Sequence, residues 1–230
     1  MRAWVRLTDD ERDVLAHHVE ELVTSRRWEA AKGFEITDRM RVVVAAQAGL
    51  LALGLDEDCY RDVGSIIVHP STMRVDRRSA GPVEGTESCG SVDLLGEAVF
   101  GGPVVIAWDS ASAAARHPER GFDVVVHEFA HKIDMLDGVV DGTPPLVPGP
   151  FVDRWVELNT ATYEHLVEHG DHLIDDYAAT DAGEFFAVVS EHFITVPDRL
   201  RAAHPELYDL YAELYGQDPL DRLHRVPRHD

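Results

Sequence analysis

The chain has 230 residues, enough to bury a substantial core in one large domain or two small ones. Its 42 acidic and 21 basic residues leave a formal charge of −21, which repels phosphate backbones and argues against direct nucleic-acid binding. There is no apolar run near 18 residues and no apolar leader at the N-terminus, and two cysteines (Cys59 and Cys89) are too few for a disulfide framework. These features exclude a membrane-spanning helix and lead us to expect a cytoplasmic protein of a reducing compartment.

In chain order, Val14, Leu15, Val19, Leu22 and Val23 form a helical stripe over residues 9–28, with Thr8-Asp9 as the start signal. Thr37-Asp38 caps a second helix to about Leu53, rich in Val, Ala and Leu and therefore buried. Residues 65–69 read as a short strand ended by Pro70, and the polar, glycine-rich stretch 74–90 as a loop or loose hairpin. Two strands, 92–100 and 103–108, follow, joined through Gly101-Gly102. The second either lies at a sheet edge, free to pair with an extended peptide, or is an ordinary core strand; the sequence leaves both open. A short alanine-rich helix from Asp109-Ser110 leads to a second helix from about Gly121. The four prolines of 141–150 mark a rigid, irregular connection, after which 151–168 is helical. Asp181 caps an acidic helix, 197–215 supplies one or two short helices, and the tail after Asp218 is expected to be loose. With strands confined to the first half and long helices around them, the expected class is α+β.

The chemistry concentrates in the helix from Gly121, which contains His127-Glu128-Phe129-Ala130-His131. Positions i and i+4 lie one above the other, so His127 and His131 can grip one cation from a single face. Glu128, turned about 100° around the axis, can take a proton from a water activated by that metal, the arrangement of an HExxH zinc hydrolase. Chance placement gives about 0.06 such matches in a chain of this composition. The surrounding Phe122, Val124, Val125, Val126, Ile133 and Met135 imply burial, which is costly for two histidines and a glutamate without partners or metal.

A third protein ligand must come from elsewhere. In the acidic helix, Glu184 and Glu191 share a face through Val188, which suits one metal ligand and one carboxylate partner for a ligating histidine. Spacing alone does not rank the two. Asp134, three residues after His131, either orients a histidine or sits on the helix surface. A competing pair, His165 and His169 with His172 behind, has Leu166 where a base would be needed and reads as an exposed helix end.

Several blocks together resemble the Mlc titration factor A family of zinc-dependent peptidases: Ile36-Thr-Asp-Arg-Met-Arg41, Gly96-Glu-Ala to Gly102-Pro-Val-Val, the run from His127 to Gly138, Glu184 to Glu191, and Gln217-Asp-Pro-Leu220. The resemblance implies a zincin-like metallopeptidase domain spanning 1–230, related to the catalytic domain of anthrax lethal factor. It would have a helical part (1–60), a small mixed sheet with the HExxH helix (61–138), and a helical part carrying the third ligand (139–230). It further implies one Zn2+ per chain held by His127, His131 and Glu184, with Glu128 as general base and Glu191 left as an outer partner. In that comparison a tyrosine seven residues before the glutamate ligand faces the metal, and Tyr177 stands at this interval; a phenol there can donate to a developing oxyanion. The expected activity is hydrolysis of short peptides with aminopeptidase preference. The alternative is a binding protein that sequesters a transcriptional repressor of sugar metabolism, with or without peptidase activity.

Overall fold

The computed structural model describes residues 3–31, 33–71 and 101–227 in full, and residues 73–80, 87–94 and 96–98 as backbone strands. The first helix, α1 (Asp9–Ser25), starts with a capping box in which Thr8 and Glu11 satisfy each other's backbone N–H groups. It does not run to residue 28 as its periodicity suggests. Arg27–Ala30 is instead a strand, β1. Tertiary partners override the local pattern here: Arg27 N–H donates to Gly64 O, and the Trp28 indole turns back to donate to Leu22 O at 3.1 Å. The second helix, α2 (Asp38–Leu51), opens on Thr37, and strand β2 (Ser65–His69) follows with alternating burial.

The described residues of the stretch 74–90 belong to a two-stranded antiparallel sheet of β3 (Met73–Ala80) and β4 (Glu87–Leu94). The single strand expected over 92–100 is divided: its start belongs to β4, and β5 (Gly96–Ala98) joins the main sheet. That sheet has the order β1-β2-β6-β5, where β6 is Val104–Ala107. Strands β1, β2 and β6 are parallel, and β5 is antiparallel to β6. Strand β6 is thus an inner strand, paired on both sides, and its backbone is not open to a peptide. The sheet edge beside it is β5.

The alanine-rich helix is α3 (Trp108–Arg116), and the motif helix is α4 (Val124–Asp134). Helix α4 begins at Val124 rather than near Gly121, because Gly121 (φ 80°) closes a 3-10 turn and Asp123 caps the helix with its own carboxylate. All eleven α4 residues are buried, although five of them, His127, Glu128, His131, Lys132 and Asp134, are polar or charged. The helix packs on α2, α3, β5 and β6, and alongside α6. A final 3-10 turn ends at Gly138 (φ 96°), a left-handed stop that glycine adopts without strain.

After the proline-rich connection come α5 (Pro150–His169), a 3-10 turn (Asp176–Ala179), α6 (Ala182–Thr195), α7 (Pro197–Ala203) and α8 (Pro205–Tyr215). The back of α6 is stapled by rings: Phe186 meets Trp155 and Tyr211, Phe193 meets Tyr208 and Tyr215, and Ser190 bonds the Tyr215 hydroxyl. This aromatic block fixes the rotation of α6 and so the direction in which its other face points. The tail is not loose as far as residue 225. Pro219–His224 forms α9, Arg222 is buried, and Arg225 pairs with Glu11 of α1. Cys59 is a buried free thiol pushed up to about 12, mainly by burial; the side chain of Cys89 lies outside the described residues. No helix of the described residues is long and apolar enough to cross a membrane.

Candidate metal centre

Helices α4 and α6 lie against each other and bring three side chains to one point. The Nε2 atoms of His127 and His131 are 3.2 Å apart, and Glu184 Oε2 lies 3.0 Å from the first and 3.5 Å from the second. A zinc ion bound at about 2.0–2.1 Å by three ligands of a tetrahedron requires donor-to-donor edges of about 3.3 Å. The three donors therefore already stand at the corners of one tetrahedral face, and among the described residues they form the one group spaced to hold a metal ion. Asp181 sets the height of the third corner: its side chain caps α6 by accepting from Glu184 N–H at 2.9 Å.

The electrostatics point the same way. Burial disfavours a charged His127, yet the carboxylates of Glu184 and Glu191, one on each ring nitrogen, raise its pKa to about 10. Burial pushes the Glu184 carboxyl up, but the two imidazoles hold it well below the usual carboxylate range. The same two carboxylates that favour a positive charge on His127 would also favour a cation held beside it.

Around this face the expected residues divide. Glu128 is buried on the next position of α4. Glu191 is buried with both oxygens used, Oε1 accepting from His127 Nδ1 at 2.7 Å and Oε2 from Asp123 N–H at 2.7 Å. Glu184 thus stands at the Nε2 side of the His127 ring and Glu191 at its Nδ1 side. Tyr177, 49% exposed on the 3-10 turn before α6, has its ring 6.1 Å from the His127 ring. Asp134 is neither on the helix surface nor hydrogen-bonded to a histidine. It is fully buried, and Oδ2 accepts from Gly142 N–H at 3.0 Å. Burial pushes its carboxyl up to about 6. The histidines of the competing pair stack on each other at 4.7 Å, and the exposed His172 leans toward Asp171, which His204 approaches to 3.0 Å.

Three further side chains support the site. Lys132 is buried, and its Nζ donates to Gly102 O at 2.8 Å, tying the last turn of α4 to the approach of β6. Asp123 caps α4 through Val125 N–H and Val126 N–H, and Gln47 of α2 donates to its other oxygen at 2.8 Å. The sequence carries signals for Asp123 and Gln47: an Asp directly before an apolar run is a helix start, and Gln47 is the lone polar side chain in the stretch from Val42 to Leu53.

A family model for glucose-regulated metallo-peptidases, M90, matches residues 1–216. The uncharacterised protein slr2042 of Synechocystis sp. is 30% identical over 225 residues, covering 94% of this chain and 80% of that protein. Mlc titration factor A of Serratia proteamaculans is 32% identical over 85% of this chain and 76% of its own length. Mlc titration factor A of Escherichia fergusonii is 30% identical over 97% and 86%.

Proposed function

The chain belongs to the glucose-regulated M90 family of metallopeptidases, and from that premise we propose that it is a zinc-dependent hydrolase of short peptides with a preference for a free N-terminus, acting in the cytoplasm. The observation that carries the reading is the triangle of His127, His131 and Glu184 with Glu128 on the adjoining turn. Two imidazoles and one carboxylate suit zinc and leave one position open, the pattern of catalytic rather than structural sites. Zinc bound there supplies Lewis acidity toward the scissile carbonyl and makes water nucleophilic at neutral pH.

The protein's own groups do the rest. Glu128 accepts the proton of the attacking water on its carboxylate and delivers it to the leaving amine. Tyr177 donates its phenolic hydrogen toward the oxygen on which negative charge develops. Glu191 accepts from His127 Nδ1, which would leave the Nε2 lone pair free for a bound cation. The outer edge of β5, next to α4, is the strand edge at which an extended peptide would align. The preference for a free amine is carried over from the family resemblance.

Cleavage of matched peptides with free and acetylated N-termini tests the substrate reading: activity confined to the free-amine set is expected, and equal cleavage of both refutes the exopeptidase preference. The relatives named Mlc titration factor A favour a second reading, capture of a transcriptional repressor. Pull-down by His127→Ala protein separates the two. Undiminished capture without hydrolysis would make sequestration an activity of its own, and no capture by either form would remove it.

A further inference from the structure

We propose that Gln47 and Asp123 are positioning residues of the metal centre, acting through Glu191 on His127. The inference rests on the reading of His127 as a metal ligand and goes beyond it, because neither residue touches the ion or the substrate. Gln47 is 2% exposed in α2, with Val44, Ala45, Ala48 and Leu51 buried around it. An amide in such surroundings is costly unless its hydrogens are placed. Here Nε2 donates to Asp123 Oδ2 at 2.8 Å and to Ala111 O of α3 at 3.3 Å. Asp123 is committed on three sides: Oδ1 caps α4, Oδ2 receives Gln47, and its backbone N–H donates to Glu191 Oε2 at 2.7 Å. The second oxygen of Glu191 accepts from His127 Nδ1 at 2.7 Å. The carboxylate of Glu191 is thereby held at two points, one on the ligand and one on a backbone group whose place is set by the cap and by Gln47.

The two histidines differ in this respect. His131 Nδ1 is buried and finds no hydrogen-bond partner among the described residues. His127 is therefore the histidine of the pair whose tautomer and ring plane are fixed from behind. The residues that hold it come from α2, the N-cap of α4, and α6, so the site reports the packing of three helices rather than of α4 and α6 alone.

A structural role and a positioning role make different predictions for a double-mutant cycle on metal affinity. Zinc affinity is measured by chelator competition on the full chain for the parent, Gln47→Met, Glu191→Gln and the double variant. Losing an outer partner of a ligating histidine weakens metal binding about 10- to 100-fold, which sets the expectation for Glu191→Gln; Gln47→Met, one bond further out, should lose about 10-fold. If Gln47 acts through Glu191, the double variant binds zinc no more weakly than Glu191→Gln alone. An unchanged affinity in Gln47→Met, or losses that multiply in the double variant as independent sites do, overturns the proposal. Should Gln47→Met fail to fold, Asp123→Asn enters the same cycle, since it keeps an oxygen for the helix cap while presenting an N–H2 group to Gln47. Failure of the underlying site reading looks different: the parent binds no zinc, or His127→Ala binds it as the parent does.

Discussion

Replacing Gly142 by alanine should destabilise the protein far more than the loss of one hydrogen suggests. Gly142 holds the connection between α4 and α5 at φ 74°, a left-handed conformation, which costs an L-residue about 1–2 kcal/mol. A Cβ there would meet Ala182 O at 2.3 Å and Ala182 C at 2.9 Å. Both are backbone atoms at the start of α6, so no side-chain rotation relieves the contact. Moving the loop away sacrifices the bond from Gly142 N–H to buried Asp134 and the bond from Trp155 Nε1 to Gly142 O at 3.1 Å, about 1 kcal/mol for a neutral bond and more for one to a carboxylate. The sum is about 3–5 kcal/mol, or about 6–20 °C in Tm at 2–4 °C per kcal/mol for a chain of this size. Thermal melts of the metal-free protein, followed by circular dichroism, provide the assay. Gly33→Ala is the control, because Gly33 has the same backbone sign (φ 80°) but no atom within 4 Å of the added methyl; it should lose only the backbone strain, about 1–2 kcal/mol. A Gly142→Ala shift no larger than that of Gly33→Ala would mean that the Ala182 backbone does not resist the added methyl.

Asp134 should impose a pH dependence on stability. Its native carboxyl titrates near 6 against 3.8 in the unfolded chain. Between those values the folded state keeps a proton that the unfolded state has released, so stability falls as pH rises through this window. Above it the full penalty is present, about 3 kcal/mol at about 1.4 kcal/mol per pH unit. Asp134→Asn keeps an acceptor for Gly142 N–H without the charge. In urea titrations it should match the parent near pH 4 and exceed it at pH 8; equal midpoints at both pH values would contradict this. Lys132→Met removes a buried ammonium from Gly102 O and should cost about 2 kcal/mol, the scale of a charge-assisted bond. By contrast, Arg154→Ala breaks an exposed pair with Glu213 (58% and 51% exposed side chains) and should cost under about 1 kcal/mol. Comparable urea midpoints for these two variants would argue against the clamp on β6.

What could be read from the sequence follows from how local each signal is. Thr8, Thr37 and Asp181 announce their helices because a cap is made within four residues, and the i, i+4 spacing of His127 and His131 is local in the same sense. The β1 strand was lost because Arg27–Ala30 contains only Trp28 and Ala30 as apolar residues, so the α1 period runs through it; its pairing with β2 is decided by residues some 38 positions away. The place of β6 inside the sheet depends on β5, three residues without a recognisable pattern. Glu184 and Glu191 could not be ranked by spacing, since both lie on one face of α6. Their difference arises from α4, which offers His127 Nε2 to one and His127 Nδ1 together with Asp123 N–H to the other. Gln47 joins the site across 76 positions, a distance no local pattern spans.

Glu128→Gln isolates the proton transfer at the proposed metal centre from metal binding itself. Glutamine preserves the volume of the buried side chain but cannot accept a proton at neutral pH, and none of the three donor atoms is altered. Zinc content by atomic absorption and peptide cleavage should be measured on the same preparation. About one zinc per chain is expected in both proteins, with turnover lower in the variant by about 10²–10⁴-fold, the usual contribution of a positioned base. Full hydrolysis by a zinc-loaded Glu128→Gln protein would contradict that role for Glu128.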